Sequence, residues 1–163
     1  MRGVVAWFDA VTEQRLLALW TDLAGVGVAA SAPPSRPHVS LLVADDIAER
    51  AVDDLTALRP DLAVSLGAVA LFPPTILHLP VTATRGLLEL QAAVVAAVGD
   101  AARGVDRFYA TPAAWQPHCT LAAAVPDELL VEALRLARAV LPLSARLTSM
   151  GLEEAGTHRR WPI

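Results

Sequence analysis

Residues 36–41 read RPHVSL and residues 116–121 read QPHCTL. Both contain Pro-His-x-(Ser/Thr)-Leu, and the two histidines stand 80 residues apart in a chain of 163. A motif that returns after half the chain length points to one domain built from two similar halves. The intervening position is Val39 in one copy and Cys119 in the other. A place that accepts valine does not require a thiol. The polar chemistry shared by the copies is therefore the histidine and the hydroxyl two residues later.

Hydrophobic periodicity fills in the halves. The first reads as strand 3–8, helix 12–25 with Thr12 as N-cap, strand 26–31, a proline-rich turn over 31–37, motif strand 38–44, helix 45–60 and strand 61–72. Pro73-Pro74 breaks the chain, and the order restarts. It continues as strand 75–81, helix 84–99, strand 105–112, motif strand 117–125, helix 126–140 and strand 143–155, followed by a short tail. The half-repeats are thus about 1–72 and 75–155 of a single domain. The expected class is α+β, with two antiparallel sheets lining a central cleft and helices outside.

Side chains alternate faces along a strand. His38 and Ser40 then share one face, and Val39 and Leu41 the other. His118 and Thr120 share a face, which turns Cys119 and Leu121 into the apolar layer. Two histidines across a cleft suit acid–base work near neutral pH. One neutral imidazole accepts a proton while the other, protonated, donates one. Hydroxyls beside them suit the oxygens of a phosphate.

Composition narrows the partners. Hydrophobic residues make up 55% of the chain and its formal net charge is −4. All 13 basic residues are arginine. With no basic run, the chain lacks the electrostatic footprint of a protein that grips extended nucleic acid. A nucleotide or an RNA end remains within reach of one or two arginines. No apolar run is long enough to span a bilayer, and a single cysteine excludes an intrachain disulfide. The expectation is a cytoplasmic protein of undetermined oligomeric state. No His-x₃-His, Cys-x₂-Cys or His-Glu-x-x-His spacing marks a metal site. A Gly-x-Ser-x-Gly elbow is also missing.

The duplicated motif resembles the two-histidine (2H) phosphoesterases, which include 2′-5′ RNA ligase and 2′,3′-cyclic phosphodiesterase proteins. Their hallmark is His-x-(Ser/Thr)-hydrophobic, once in each half of a bilobal α+β fold. Here it is His38-Val39-Ser40-Leu41 and His118-Cys119-Thr120-Leu121. The resemblance implies metal-independent, cofactor-free hydrolysis or transfer at a 2′,3′-cyclic or 2′-5′ phosphodiester of a nucleotide or RNA end. His38 and His118 would share the general acid and base roles, in an undecided order, with Ser40 and Thr120 binding phosphate. The alternatives are 2′-5′ RNA ligase activity in RNA processing and a nucleotide-binding module without turnover. Where many relatives carry a basic residue after the second motif, this chain has Ala122, Ala123 and Ala124, which weighs against extended RNA.

Other residues enter as lesser candidates. Tyr109, on its own strand, is read either as stacking on a base or bonding the phosphate, or as core. Arg36, just before the first motif, is read as a phosphate-binding residue, and Arg103 and Arg107 as weaker ones. Phe72 and Trp115 are cleft-wall candidates. His78 has no hydroxyl two residues on and is not assigned to the site. His158 is read as exposed tail.

Overall fold

The computed structural model describes residues 1–31, 35–154 and 160–162. Strand β1 (Arg2–Phe8) leads into helix α1 (Ala10–Gly25). Then come β2 (His38–Ile47), a short α2 (Ala51–Leu55), β3 (Leu62–Leu66), β4 (Ala70–Phe72) and β5 (Ile76–Pro80). Helix α3 (Arg85–Val98) is followed by β6 (Ala102–Val105), β7 (His118–Ala122), α4 (Leu130–Ala139), β8 (Leu143–Glu154) and β9 (Arg160–Pro162).

The strands form two antiparallel sheets, as expected for an α+β chain of this pattern. The larger runs β3-β8-β1-β2-β6, with β9 also paired to β8, and the smaller runs β4-β5-β7. Each sheet draws strands from both halves of the sequence. The first motif strand, β2, lies in the larger sheet and the second, β7, in the smaller. Helix α1 packs on β1 and β8 and against α4; α3 packs on β2 and against α2. One continuous apolar cluster joins these layers, including Val4, Leu16, Leu41, Leu79, Val94, Leu121 and Leu147.

Local chemistry explains several boundaries. Asp9, not Thr12, caps α1. Its carboxylate accepts the Thr12 backbone N–H at 3.0 Å and the Thr12 hydroxyl at 2.8 Å, and it also accepts the Arg146 N–H at 2.8 Å, tying the helix start to β8. Thr84 caps α3 by accepting the Leu87 N–H, satisfying a backbone donor that would otherwise have no partner.

The chain departs from the sequence expectation at five places. The run 26–31 forms no strand, because Gly27 takes a φ of 89° as the chain leaves α1. A single bridge, Ala30 to Ala122, remains there. The helix expected over 45–60 shrinks to α2, since residues 45–47 extend β2 and pair with β6. Asp46 lies opposite Arg103 and forms an ion pair with it at 2.8 Å. The strand expected over 61–72 divides into β3 and β4, one in each sheet. No strand covers 105–112 beyond Val105. Asp106 folds the chain into a turn, its side chain accepting the Phe108 N–H at 2.9 Å and its carbonyl the Tyr109 N–H at 2.8 Å. Finally, β9 extends the pairing of β8 beyond the expected last strand. Residues 32–34 of the proline-rich turn, and His158, lie outside the described residues. Among the described residues, no helix is long and apolar enough to cross a membrane.

Candidate active site

Burial along the two motif strands alternates. Val39, Leu41, Cys119 and Leu121 are fully buried, whereas His38, Ser40, His118 and Thr120 are partly exposed. The sequence reading of these faces therefore holds. Cys119 sits in the apolar layer, where burial pushes its thiol up to about 12.

Each histidine is held by its own strand in the same way. His38 Nδ1 lies 2.7 Å from the Arg36 carbonyl oxygen, and His118 Nδ1 lies 2.7 Å from the Gln116 carbonyl oxygen. A carbonyl oxygen only accepts, so Nδ1 carries the hydrogen in both rings. In the neutral ring Nε2 is then the free acceptor, and in the charged ring it is the free donor. Backbone geometry fixes the tautomer that acid–base chemistry at Nε2 needs.

The segments that supply these carbonyls are themselves anchored. Arg36 makes two hydrogen bonds to Glu13, at 2.9 and 2.6 Å, and its guanidinium lies 5.1 Å from the Trp7 ring centroid. Trp7 pairs directly with His38 across β1 and β2. Its ring lies over Gly151, where any Cβ would overlap it. The Arg36 guanidinium, expected at the phosphate, is paired with Glu13, and the Arg36 main chain holds the first histidine. On the other side, Trp115 is buried and donates its Nε1–H to the Ser40 carbonyl at 3.0 Å. That bond pins the approach to β7 against β2.

Tyr109 lies on the loop after β6, not on a strand. Burial raises its pKa above the usual tyrosine value, and the nearby charge of Asp106 adds to the rise. The neighbouring Ser40 side chain favours ionisation of its hydroxyl, but these influences outweigh it. Gln91 on α3 is fully buried, and its Nε2 donates to the carbonyls of Leu41 and Tyr109 at 3.3 and 2.9 Å. It ties helix, motif strand and loop together. The only sequence signal for it is one amide within the apolar run LLELQAAVVAAV.

His78, not assigned to the site from the sequence, packs against His118. Across β5 and β7 it pairs directly with Thr120, so its side chain shares the face of Thr120 and His118. It is 3% exposed. Its ring stacks on Phe72 with centroids 3.9 Å apart and meets His118 edge-on at 5.2 Å. Phe72 in turn meets His118 edge-on at 4.8 Å. Burial lowers the pKa of His78, against a hydrogen bond to the Ile76 carbonyl that raises it. Its position in an apolar run, without the motif, hid it: only strand pairing brings it beside His118.

A cavity of about 470 Å³ opens beside this cluster. Phe72, Tyr109, Trp115, His118 and Thr120 line it, and Asp106 and Phe108 also belong to its wall. His38 and Ser40 are not part of that lining. Ser40 adjoins it through the bond of its carbonyl to Trp115, and the charge of His38 acts on His118. Burial is the largest influence on His118 and lowers its pKa, the charges of His78 and His38 lower it further, and the Gln116 hydrogen bond opposes them. Arg103 faces Asp46 and Arg107 lies over Phe108, 4.7 Å from its centroid. Among the described residues, no three His, Cys, Asp or Glu side chains are grouped as metal ligands would be.

Comparison with known proteins is consistent along the whole chain. A family model described as 2′-5′ RNA ligase superfamily matches residues 12–159. Among solved structures, E. coli LigT in apo form superposes with a TM-score of 0.63 at 16% identity, covering 99% of this chain and 93% of that one. TT0787 of Thermus thermophilus gives 0.62 at 18% identity, covering 99% and 92%. The MHV ns2 PDE domain gives 0.53 at 18% identity, covering all of both chains. No curated protein sequence matches. At these identities the superpositions speak for the fold.

Proposed function

The chain belongs to the 2′-5′ RNA ligase superfamily, and from that premise we propose that it is a metal-independent phosphodiesterase opening a 2′,3′-cyclic phosphate, or a related 2′-5′ phosphodiester, on a nucleotide or RNA end. The observation that carries this reading is the matched pair of imidazoles, each with Nδ1 fixed to a carbonyl two residues back. Both are thereby left with Nε2 free to pass a proton.

The depressed pKa of His118 supports it as the base, because that ring favours its neutral form at neutral pH. In the proposed step, His118 Nε2 takes a proton from water as the water oxygen bonds to phosphorus. His38, protonated, gives its Nε2 proton to the ribose oxygen as the bond from phosphorus to that oxygen breaks. The product is a phosphomonoester beside a free hydroxyl. His118 leaves the step charged and His38 neutral, and exchange with solvent restores both. Ser40 and Thr120 hydroxyls donate to the phosphoryl oxygens, where charge builds. The cavity falls within the range of small-ligand sites. Solved structures of E. coli LigT in complex with ATP, NADP+ and phosphate lend the fold a record of taking nucleotides and free phosphate.

The test is turnover of 2′,3′-cyclic nucleotides, with chelator present, by the wild type and by His38→Ala and His118→Ala, each shown to be folded by circular dichroism. Each variant should lose about 10²- to 10⁴-fold in rate. Ser40→Ala and Thr120→Ala should lose less, each removing one hydrogen bond. Full activity in either folded histidine variant, or activity abolished by the chelator, refutes the mechanism.

A further inference from the structure

The cavity wall carries a carboxylate as well as the His118 imidazole. Asp106 is the one carboxylate among its lining residues. One carboxylate oxygen of Asp106 accepts the Phe108 N–H, and the other has no hydrogen-bond partner among the described residues. Beside it, Phe108 is 54% exposed although it is a large apolar ring. Arg107 covers it from one side. An aromatic ring held in water at a cavity rim, next to an uncommitted carboxylate oxygen, is suited to a flat ligand that stacks and donates hydrogen bonds.

We propose that Asp106 and Phe108 form the base-reading end of the cavity, and that this end selects nucleobases by the N–H donors they present, guanine first and uracil last. The inference rests on reading the cavity as a nucleotide site. A carboxylate repels phosphate, so the phosphate lies at the histidine end and the base toward Asp106. A carboxylate only accepts hydrogen bonds. Guanine presents N1–H and the N2 amino group side by side, matching the uncommitted oxygen and the remaining lone pair of the oxygen that accepts the Phe108 N–H. Adenine and cytosine each offer one amino group. Uracil offers N3–H flanked by two carbonyl oxygens, both of which the carboxylate repels.

Asp106→Asn separates base reading from folding, because the asparagine carbonyl oxygen still accepts the Phe108 N–H and preserves the turn. Calorimetry with guanosine 3′-monophosphate and uridine 3′-monophosphate measures the preference without requiring turnover. The wild type should bind the guanosine nucleotide about tenfold or more tightly than the uridine one, the scale of one good bidentate base contact. In Asp106→Asn the preference should collapse, by weaker guanosine binding and by stronger uridine binding through the new amide donor. Phe108→Ala should weaken both nucleotides together. Equal wild-type affinities, no binding of either, or an undiminished preference in Asp106→Asn would overturn the proposal. Preferential binding of the guanosine nucleotide without turnover of its cyclic parent would leave it standing and refute the proposed catalysis. Turnover of guanosine and uridine cyclic phosphates with equal kcat/KM would refute the base reading alone.

Discussion

The imidazole of His78 stands edge-on to that of His118, their centroids 5.2 Å apart, with Phe72 packed against both. Two rings whose pKa values are lowered by desolvation both resist protonation. In the unfolded chain they titrate near the ordinary value of 6.5. Below that pH the unfolded state takes up protons that the folded state refuses, so stability falls as pH falls. The contribution is fully present above the unfolded value and is lost downward through the lowered folded values. Urea unfolding from pH 7.5 down to pH 5 should therefore show declining stability, and His78→Leu should show a shallower decline. At pH 7.5 the same substitution should cost about 1 kcal/mol through the lost ring contacts. An identical decline in both proteins would mean that His78 takes up its proton as readily folded as unfolded.

The lowered pKa of His118 also sets an expectation for catalysis. If neutral His118 is the base, the acid limb of kcat/KM should lie below the usual histidine value, since burial disfavours its charged form. Activity should persist at a pH where a solvent-exposed histidine would already be largely protonated. A pH–rate profile measures this, with NMR titration of the His118 ring in the free protein identifying the limb. A limb above the ordinary histidine value would reassign the base.

Cys119 should be chemically silent. Its thiol is fully buried with a pKa pushed up to about 12, and the thiolate is the reactive form. Native protein should resist iodoacetamide at pH 8 and react once unfolded. Cys119→Val should retain activity, because Val39 already occupies the equivalent, equally buried place. A folded but inactive valine variant would restore the thiol to the mechanism.

Arg36 separates two roles that its place before the motif left merged. Its guanidinium is paired with Glu13 and 35% exposed, while its carbonyl holds His38. Arg36→Met keeps that carbonyl and an aliphatic stem over Trp7. It should lower stability by about 1 kcal/mol, as expected for a partly exposed ion pair, and leave KM near its wild-type value. Glu13→Gln should cost a similar amount. A large rise in KM for Arg36→Met alone would return the side chain to the phosphate.

Features that depend on neighbours along the chain were legible in the residues alone. Alternation in an extended segment puts His38 with Ser40 and His118 with Thr120 on one face, and buries Val39 and Cys119 on the other. Any β-strand enforces that pattern, so a duplicated motif was enough to find the pair. The carbonyl hydrogen bonds that fix both tautomers are equally local, spanning two residues. Features that depend on which strands meet came only with the folded chain. Residues 45–47 joined β2 because β6 offered a ladder, against an acidic, helix-like pattern. Tyr109 left the expected strand because Asp106 closed a turn under it. Arg36 was drawn to Glu13, 23 residues away, and His78 reached His118 only because β5 pairs with β7. Such pairings arise from burying apolar faces across the whole chain, a collective balance that no single stretch of residues encodes.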